Sequence, residues 1–98
     1  EERAQLYEQL EQFDKAISEY STLIDMNADD FYPYVLRADV FEKTENWNRA
    51  IADYTEAIRL NPYYSDLYQY RGDLLTKIGD IAGADSDYAT FQRLEEED

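Results

Sequence analysis

Carboxylates dominate the side chains of this chain that could do chemistry. Its 98 residues include 23 Asp and Glu against nine Lys and Arg, and there is neither His nor Cys. Two carboxylates can act as acid and base in glycoside hydrolysis, but with so many acids almost any pair could be drawn, so a pair is uninformative. The sequence also has no Gly-rich phosphate loop and no nucleophile elbow. We therefore expect no catalytic residues and no enzyme activity.

Two short acidic segments carry the oxygen ligands that calcium prefers. They are Asp85-Ser86-Asp87 and Asn27-Ala28-Asp29-Asp30. Neither has the longer loop with a central Gly and a distal Glu that holds calcium in a dedicated site. Zinc, iron and copper lack their usual His and Cys ligands here. We expect no metal site and no cofactor.

The charge balance narrows the class of partner. A formal net charge of −14 repels phosphate backbones and anionic lipid surfaces, so nucleic acid and membrane partners are disfavoured. No apolar run is long enough to span a bilayer, and no targeting segment is visible. The expected partner is a protein or peptide, and the compartment stays open.

Apolar periodicity and breaker residues predict six helices. The predicted spans are 1–10, 13–26, 31–43, 47–60, 65–77 and 81–95. Between them, Asn27 is expected to form a left-handed C-terminal cap, and Ser65 an N-cap. Gly79 is expected to supply the turn before the last helix and Asp80 to cap that helix. The content is all-α, without a linker that would divide the chain.

One pattern recurs at a fixed offset of 34 residues. Small residues occupy two positions of each unit: Ala4, Ala38 and Gly72, then Ala16, Ala50 and Ala84. Tyrosines occupy a third position: Tyr20, Tyr54 and Tyr88. Small residues let two helices cross closely, and the tyrosines fill the space between helices, with hydroxyls expected to reach solvent or a backbone carbonyl. Arg3, Arg37 and Arg71 also recur, and we expect them to cover the core with their aliphatic stems and pair with acidic neighbours.

This pattern resembles the tetratricopeptide repeat, whose consensus is W-x2-L-G-x2-Y, then A-x3-F, then P. The middle unit reads Tyr34-x2-Arg37-Ala38-x2-Phe41, Ala50-x3-Tyr54 and Pro62. The third reads Tyr68-x2-Arg71-Gly72-x2-Leu75 and Ala84-x3-Tyr88. The resemblance implies a right-handed α-solenoid of three antiparallel helix-turn-helix hairpins. It would form a single domain, 1–98, with repeats at about 1–30, 31–64 and 65–98.

The resemblance also implies a function, because the first helix of each hairpin in this family lines a concave groove that binds a peptide or protein segment. The residues on that face here are Gln5, Glu8, Gln9, Tyr32, Val35, Leu36, Asp39, Glu42, Lys43, Asp66, Gln69, Tyr70, Asp73, Thr76 and Lys77. They make a mildly acidic surface with apolar and aromatic points, which fits a basic partner with an apolar anchor. For any one of them, a purely solvated helix face is an equally open alternative.

One subgroup of the family clamps the C-terminal carboxylate of chaperones with Lys, Asn and Arg. The matching positions here are Glu1, Gln5, Leu36, Asp66 and Tyr70. These side chains offer no positive charge to a carboxylate. We therefore expect this chain not to bind chaperone tails.

The alternative function is self-association, in which the module builds an assembly within a longer repeat protein. Tyr63 and Tyr64 are candidates for such contacts, although like-charged copies repel each other at low ionic strength. In the last helix Asp85 and Gln92 replace the isoleucines of earlier units, which predicts a polar outer face that closes the array. The equivalents of 31–34 are missing before Glu1, which suggests a fragment of a longer array; the alternative is a first helix that is naturally short.

Overall fold

The computed structural model describes residues 3–4 and 12–97. That part of the chain contains five long helices, which we number α1 to α5: Phe13–Met26, Tyr32–Lys43, Trp47–Leu60, Ser65–Lys77 and Ile81–Glu96. These five predicted helices are confirmed to within one residue at each end. Of the predicted helix 1–10, only residues 3 and 4 are described, and both are helical. The rest of that prediction lies outside the described residues.

Consecutive helices pack against each other: α1 on α2, α2 on α3, α3 on α4 and α4 on α5. Consequently α2 and α3 form one hairpin, α4 and α5 form the next, and α1 packs on α2 as the second helix of the first unit. The fold is an all-α solenoid, in which a unit buries its apolar face mainly against its neighbours. Pro33 lies in the first turn of α2, where its missing N–H leaves no helical bond unmade.

The recurring small residues lie where the helices cross, as predicted. All six are buried: Ala4, Ala16, Ala38, Ala50, Gly72 and Ala84. At Gly72 the approach is closest, since a Cβ added there would lie 2.8 Å from Cε1 of Tyr88. The two inner tyrosines, Tyr20 and Tyr54, are also buried. The middle cluster of the core joins Ala38 and Tyr54 to Leu67 of α4, so it bridges two hairpins.

The turns inside the two described hairpins share one backbone conformation. Glu45 has φ 60° and Gly79 has φ 88°, and these residues are 34 positions apart in the sequence. The predicted turn at Gly79 is confirmed, and the same left-handed turn is made by a glutamate in the preceding unit. Asp80 caps α5 as predicted, because its carboxylate accepts a hydrogen bond from the Gly83 N–H at 3.0 Å.

Two predicted caps are wrong. Asn27 has φ −150°, which is extended and not left-handed, and its N–H donates to the carbonyl of Leu23. The next helix is stabilised by Asp30, which accepts from the Tyr32 N–H at 3.0 Å. Ser65 is the first residue of α4 and not its N-cap, and its hydroxyl donates to the carboxylate of Glu95.

The outer face of α5 is polar. Asp85 and Gln92 are both exposed, whereas Ile24 and Ile58 at the matching position of earlier units are buried or half-buried. None of the helices in the described part of the chain is both long and apolar enough to cross a bilayer.

Candidate functional site

A cleft of about 490 Å³ lies between α2 and α4, the first helices of the two described hairpins. We call it the tyrosine cleft, and its lining residues are Tyr32, Val35, Leu36, Asp39, Glu42, Tyr54, Tyr64 and Tyr70. The five that come from α2 recur at helical spacing, so one face of that helix forms a wall. α3 supplies Tyr54 to the lining, Tyr64 precedes α4, and Tyr70 comes from α4 itself.

Ring contacts hold the tyrosines of the cleft in place. The ring centroids of Tyr54 and Tyr70 are 5.7 Å apart, with the planes tilted by 40°. Phe31 packs edge-to-face with Tyr64 at 5.8 Å and with Tyr32 at 6.3 Å. Aromatic pairs in these arrangements are favourable beyond the area they bury. One phenylalanine therefore positions a tyrosine at the start of α2 and another in the connection that precedes α4.

Two carboxylates face the same space. The Tyr54 hydroxyl donates to Oε2 of Glu42 at 2.6 Å, and Lys43 Nζ lies 3.1 Å from Oδ2 of Asp39. Burial raises the pKa of the Glu42 carboxyl, and the neighbouring carboxylates of Asp39 and Asp73 raise it further. The hydrogen bond from Tyr54 and the charge of Lys77 act against that rise. The cleft therefore disfavours the ionised form of Glu42 relative to water.

Two tyrosines of the cleft, Tyr54 and Tyr70, have raised pKa values. Burial, followed by the hydrogen bond to Glu42, raises the pKa of the Tyr54 hydroxyl. Burial also raises the pKa of Tyr70, and Asp66 adds to the effect. The Tyr54 hydroxyl donates to a carboxylate, whereas solvent or a backbone carbonyl was the expected partner. A half-buried carboxylate offers a stronger, charge-assisted acceptor.

The third unit makes the same bond with different partners. The Tyr88 hydroxyl donates to Oδ1 of Asp73 at 2.6 Å and lies 3.4 Å from the Thr76 hydroxyl. This hydrogen bond raises the pKa of Tyr88. Thr76 occupies the position that Glu42 has in the preceding unit, 34 residues earlier, so the tyrosine takes the nearest carboxylate, one turn back along α4. Asp73 is therefore engaged by its own hairpin.

The structure brings together six of the fifteen residues predicted for the groove face. Besides Val35, those that line the tyrosine cleft are Tyr32, Leu36, Asp39, Glu42 and Tyr70. Asp66, Gln69 and Asp73 lie on α4 but do not line the cleft. Gln5 and Glu8, with the neighbouring Gln9, lie outside the described residues. Val35 was also predicted for this face, and it does line the cleft.

Two lining residues were missed from the sequence. Tyr54 sits at a repeat position that packing explains, so its second role as part of the cleft floor carried no separate signal. Tyr64 follows Pro62 in a connection, outside any helix periodicity. The packing of its ring against Phe31 is what brings it to the cleft, and residue type and spacing alone do not reveal that contact.

The recurring arginines form a second structural motif, which joins three helices. Nε and Nη2 of Arg37 donate to the two carboxylate oxygens of Asp53 at 2.8 and 2.7 Å. Nη1 donates to the Ser21 hydroxyl of the preceding unit at 3.0 Å. The guanidinium also lies 5.8 Å from the ring centroid of Tyr34 and 5.9 Å from that of Phe41. The hydrogen bonds that Arg37 donates to Asp53 raise the pKa of Arg37.

The third unit repeats this arrangement. Arg71 binds both carboxylate oxygens of Asp87 at 2.8 and 2.7 Å and reaches back to the Thr55 hydroxyl at 3.2 Å. Arg3 lies 3.1 Å from a carboxylate oxygen of Glu19. The predicted pairing of these arginines with acidic neighbours is confirmed, and in each case the acid follows its arginine by 16 residues. The same offset in the sequence points to Asp53 and Asp87 as the acidic partners. Both of these residues are buried.

No group of three or more Asp or Glu side chains within residues 3–4 and 12–97 is arranged to hold a metal ion. The oxygen-rich segments at 27–30 and 85–87 lie in that part of the chain. In the second of them, Asp87 is taken by Arg71.

Comparison with solved structures shows close likeness to repeat domains. The second TPR of Spaghetti (RPAP3), bound to the HSP90 peptide SRMEEVD, is 26% identical, with 95% of this chain and 86% of that chain covered and a TM-score of 0.85. The second TPR domain of human RPAP3, in complex with the HSP70 peptide SGPTIEEVD, is 26% identical, with 99% and 81% covered and a TM-score of 0.87. No curated protein matches the chain significantly.

A more distant likeness shows the fold alone. MamA from Desulfovibrio magneticus RS-1 is 17% identical, with 98% of this chain covered and a TM-score of 0.90, and this chain spans 54% of its length.

The family model described as tetratricopeptide repeat matches residues 1–65 and 35–90. The two matches together take in nearly the whole chain, including α1 to α4 and most of α5. The buried small residues at the helix crossings and the tyrosines beside them are the family's packing positions, as the sequence resemblance implied. This chain belongs to the tetratricopeptide repeat family.

Proposed function

We propose that this chain is a non-enzymatic protein-interaction scaffold that binds a peptide or protein segment along its first helices. The observation that carries the proposal is the tyrosine cleft, a half-open space between α2 and α4 lined by aromatic, apolar and acidic side chains. Its volume of about 490 Å³ falls within the range of about 300–1,000 Å³ typical of ligand pockets. The peptide complexes of the two RPAP3 domains support the same use of the fold.

We propose further that the bound segment is basic and has an apolar anchor. Asp39 and Glu42 face the cleft, and exposed Asp73 lies on the same helix as Tyr70. These carboxylates would repel an acidic peptide such as those in the RPAP3 complexes, whereas the tyrosines and Leu36 offer apolar contact. We also propose that 1–98 acts as one domain of three repeats.

A capture experiment tests the proposal. The bait is the whole chain, compared with a cleft variant carrying Leu36→Asp and Tyr70→Asp. A matched control carries Ile81→Asp and Gln92→Asp, two exposed positions of α5 outside the cleft. We expect bound proteins to be lost with the cleft variant and kept with the control.

Leu36 also packs on the core, so a second variant keeps the test independent of folding. Asp39→Lys with Asp73→Lys reverses two exposed charges without touching the core, although it also removes the Asp39–Lys43 ion pair and the acceptor of the Tyr88 hydroxyl. We expect it to weaken capture at low salt. If both cleft variants remain folded by circular dichroism and recover the same proteins as the unaltered chain, the cleft is not the binding surface. Sedimentation at two salt concentrations would then examine self-association.

A further inference from the structure

We propose that the tyrosine cleft receives an arginine side chain of the bound segment. This inference rests on the proposed scaffold function and specifies the contact at the centre of it. The eight residues that line the cleft include two carboxylates, four tyrosines and no cation. A guanidinium is the one natural side-chain group that both donates several hydrogen bonds in its plane and stacks on aromatic rings.

The chain itself shows how such a site is built. The Arg37 guanidinium is bound by the Asp53 carboxylate. Its carbon atom lies over two aromatic rings, 5.8 Å from the centroid of Tyr34 and 5.9 Å from that of Phe41. Arg71 repeats the arrangement, with Asp87 as its acid and the Tyr68 ring at 6.0 Å. In each case a carboxylate and at least one aromatic ring contact one guanidinium. The tyrosine cleft presents the same two components, and none of the arginines within residues 3–4 and 12–97 lines it.

The hydrogen-bonding capacity of the cleft matches a guanidinium. Glu42 accepts the Tyr54 hydroxyl through Oε2, and a carboxylate has lone pairs for further donors on both oxygens. Asp39 lies one turn earlier on α2, at the exposed side of the cleft, where Lys43 already shares it. An incoming guanidinium would therefore meet Glu42 at the floor and Asp39 at the rim.

The charge state of Glu42 supports the same occupant. This carboxylate is half-buried, next to other acids and with a raised pKa, so a bound cation would relieve the repulsion among Asp39, Glu42 and Asp73. An acidic or neutral side chain would bury the carboxylates without compensation.

The aromatic faces decide between kinds of cation. The rings of Tyr54 and Tyr70 lie 5.7 Å apart with a 40° tilt, so they form a corner and not a closed box. A flat guanidinium can lie against one ring while its edge points at Glu42, whereas the ammonium of a lysine is attracted to a ring face, as Lys77 is to Trp47, but has no plane to stack on it. A trimethylated lysine would contact the rings but could donate no hydrogen bond to the carboxylates. Arginine uses both components of the site.

The test is an NMR titration of the full chain with small capped amino acids, followed through backbone amide shifts. The probes are N-acetyl-arginine amide, its lysine and trimethyl-lysine counterparts, and N-acetyl-citrulline amide, which has nearly the same shape as arginine but no charge. We expect the arginine probe to shift the amides of Tyr32, Glu42, Tyr54, Tyr64 and Tyr70. It should bind about five-fold more tightly than citrulline, since a hydrogen bond to a charged group is worth about 1 kcal/mol more than a neutral one.

Two variants locate the site. Glu42→Gln keeps the shape of the side chain and can still accept from Tyr54, and we expect it to remove most of the difference between arginine and citrulline. Asp85→Asn makes the same change in charge on the exposed face of α5 and should leave the titration unaltered. Folding of both is checked by the dispersion of the amide spectrum.

Three results would overturn the inference. These are equal binding of arginine and citrulline, tighter binding of lysine or trimethyl-lysine than of arginine, and arginine shifts spread over the acidic surface without concentration at the cleft. Any of them would leave the scaffold proposal standing if the capture experiment still depends on the cleft. Conversely, cleft-independent capture together with arginine binding in the cleft would refute the scaffold proposal alone.

Discussion

Replacing Asp53 with alanine should destabilise the fold far more than removing an exposed acid. The carboxylate of Asp53 accepts two hydrogen bonds from Arg37 at 2.7 and 2.8 Å, and the two side chains are only 7% and 22% exposed. Breaking a fully buried ion pair by removing one partner costs about 3–5 kcal/mol. Because a fifth of Arg37 already reaches water, its guanidinium can regain part of its hydration. We therefore expect a loss of about 2–4 kcal/mol for Asp53→Ala.

The measurement is urea denaturation, because guanidinium chloride would screen the ion pair. Glu56→Ala is the matched control: it removes the same charge from the same helix, and its partner Arg59 is 63% exposed. A pair in such surroundings contributes about 0–1 kcal/mol. Both variants lower the net negative charge equally, so relief of repulsion cancels in the comparison. If Asp53→Ala costs no more than Glu56→Ala, the arginine motif does not stabilise the fold as argued.

Three further outcomes follow from the packing, the turns and the charges of the structure. Ala50 is fully buried at a helix crossing, so Ala50→Leu should lower stability by about 1–3 kcal/mol through overpacking, and an unchanged thermal midpoint would contradict this. Glu45 has a left-handed backbone, so Glu45→Gly should raise stability by roughly 0.5–1 kcal/mol in urea denaturation, whereas Gly79→Ala at the matching turn should lower it by about as much; an opposite sign at either position would refute the turn argument. The pKa of Glu42 is raised by burial and then by Asp39 and Asp73, against Tyr54 and Lys77, so its stabilising contribution is complete below the unfolded pKa and is lost as pH rises through the folded pKa. Glu42→Gln cannot undergo that loss, and its stability relative to the unaltered chain should therefore increase from about pH 4 to pH 7; a constant difference in midpoint would show that Glu42 does not titrate as described.

The helices and their packing were predictable from the sequence because they depend on residue size and period. The small residue Ala50 and the aromatic residue Tyr54, at this spacing in a repeat, predict a close helix crossing. The helix-breaking residues around Pro62 predict where a helix ends. The cap at Asn27 was mispredicted because its backbone is extended, with φ −150°, and the cap at Ser65 because its hydroxyl is bound elsewhere. A polar side chain caps a helix only if it does not bind a competing partner. The Ser65 hydroxyl donates to Glu95, a residue far away in the sequence.

The candidate site was only partly predictable. The wall on α2 follows from helical spacing, so Tyr32, Leu36 and Asp39 could be placed on one face. The cleft as a space depends on the distance between two hairpins, and no periodicity in the sequence encodes it. Tyr64 belongs to the cleft because Phe31 packs against its ring, a contact between the start of α2 and the connection that precedes α4.

The arginine motif has a consequence for how the array opens. Arg37 connects α2 to α3 of its own hairpin and to Ser21 in α1 of the hairpin before, and Arg71 does the same one unit later. When a hairpin opens, the hydroxyl in the preceding unit therefore loses the arginine that donates to it. The effect of opening is thus transmitted from a unit to the one before it. Interfaces that are linked in this way make a repeat array melt as a cooperative block rather than unit by unit. The spacing between α2 and α4, and with it the width of the tyrosine cleft, is consequently a property of the whole block.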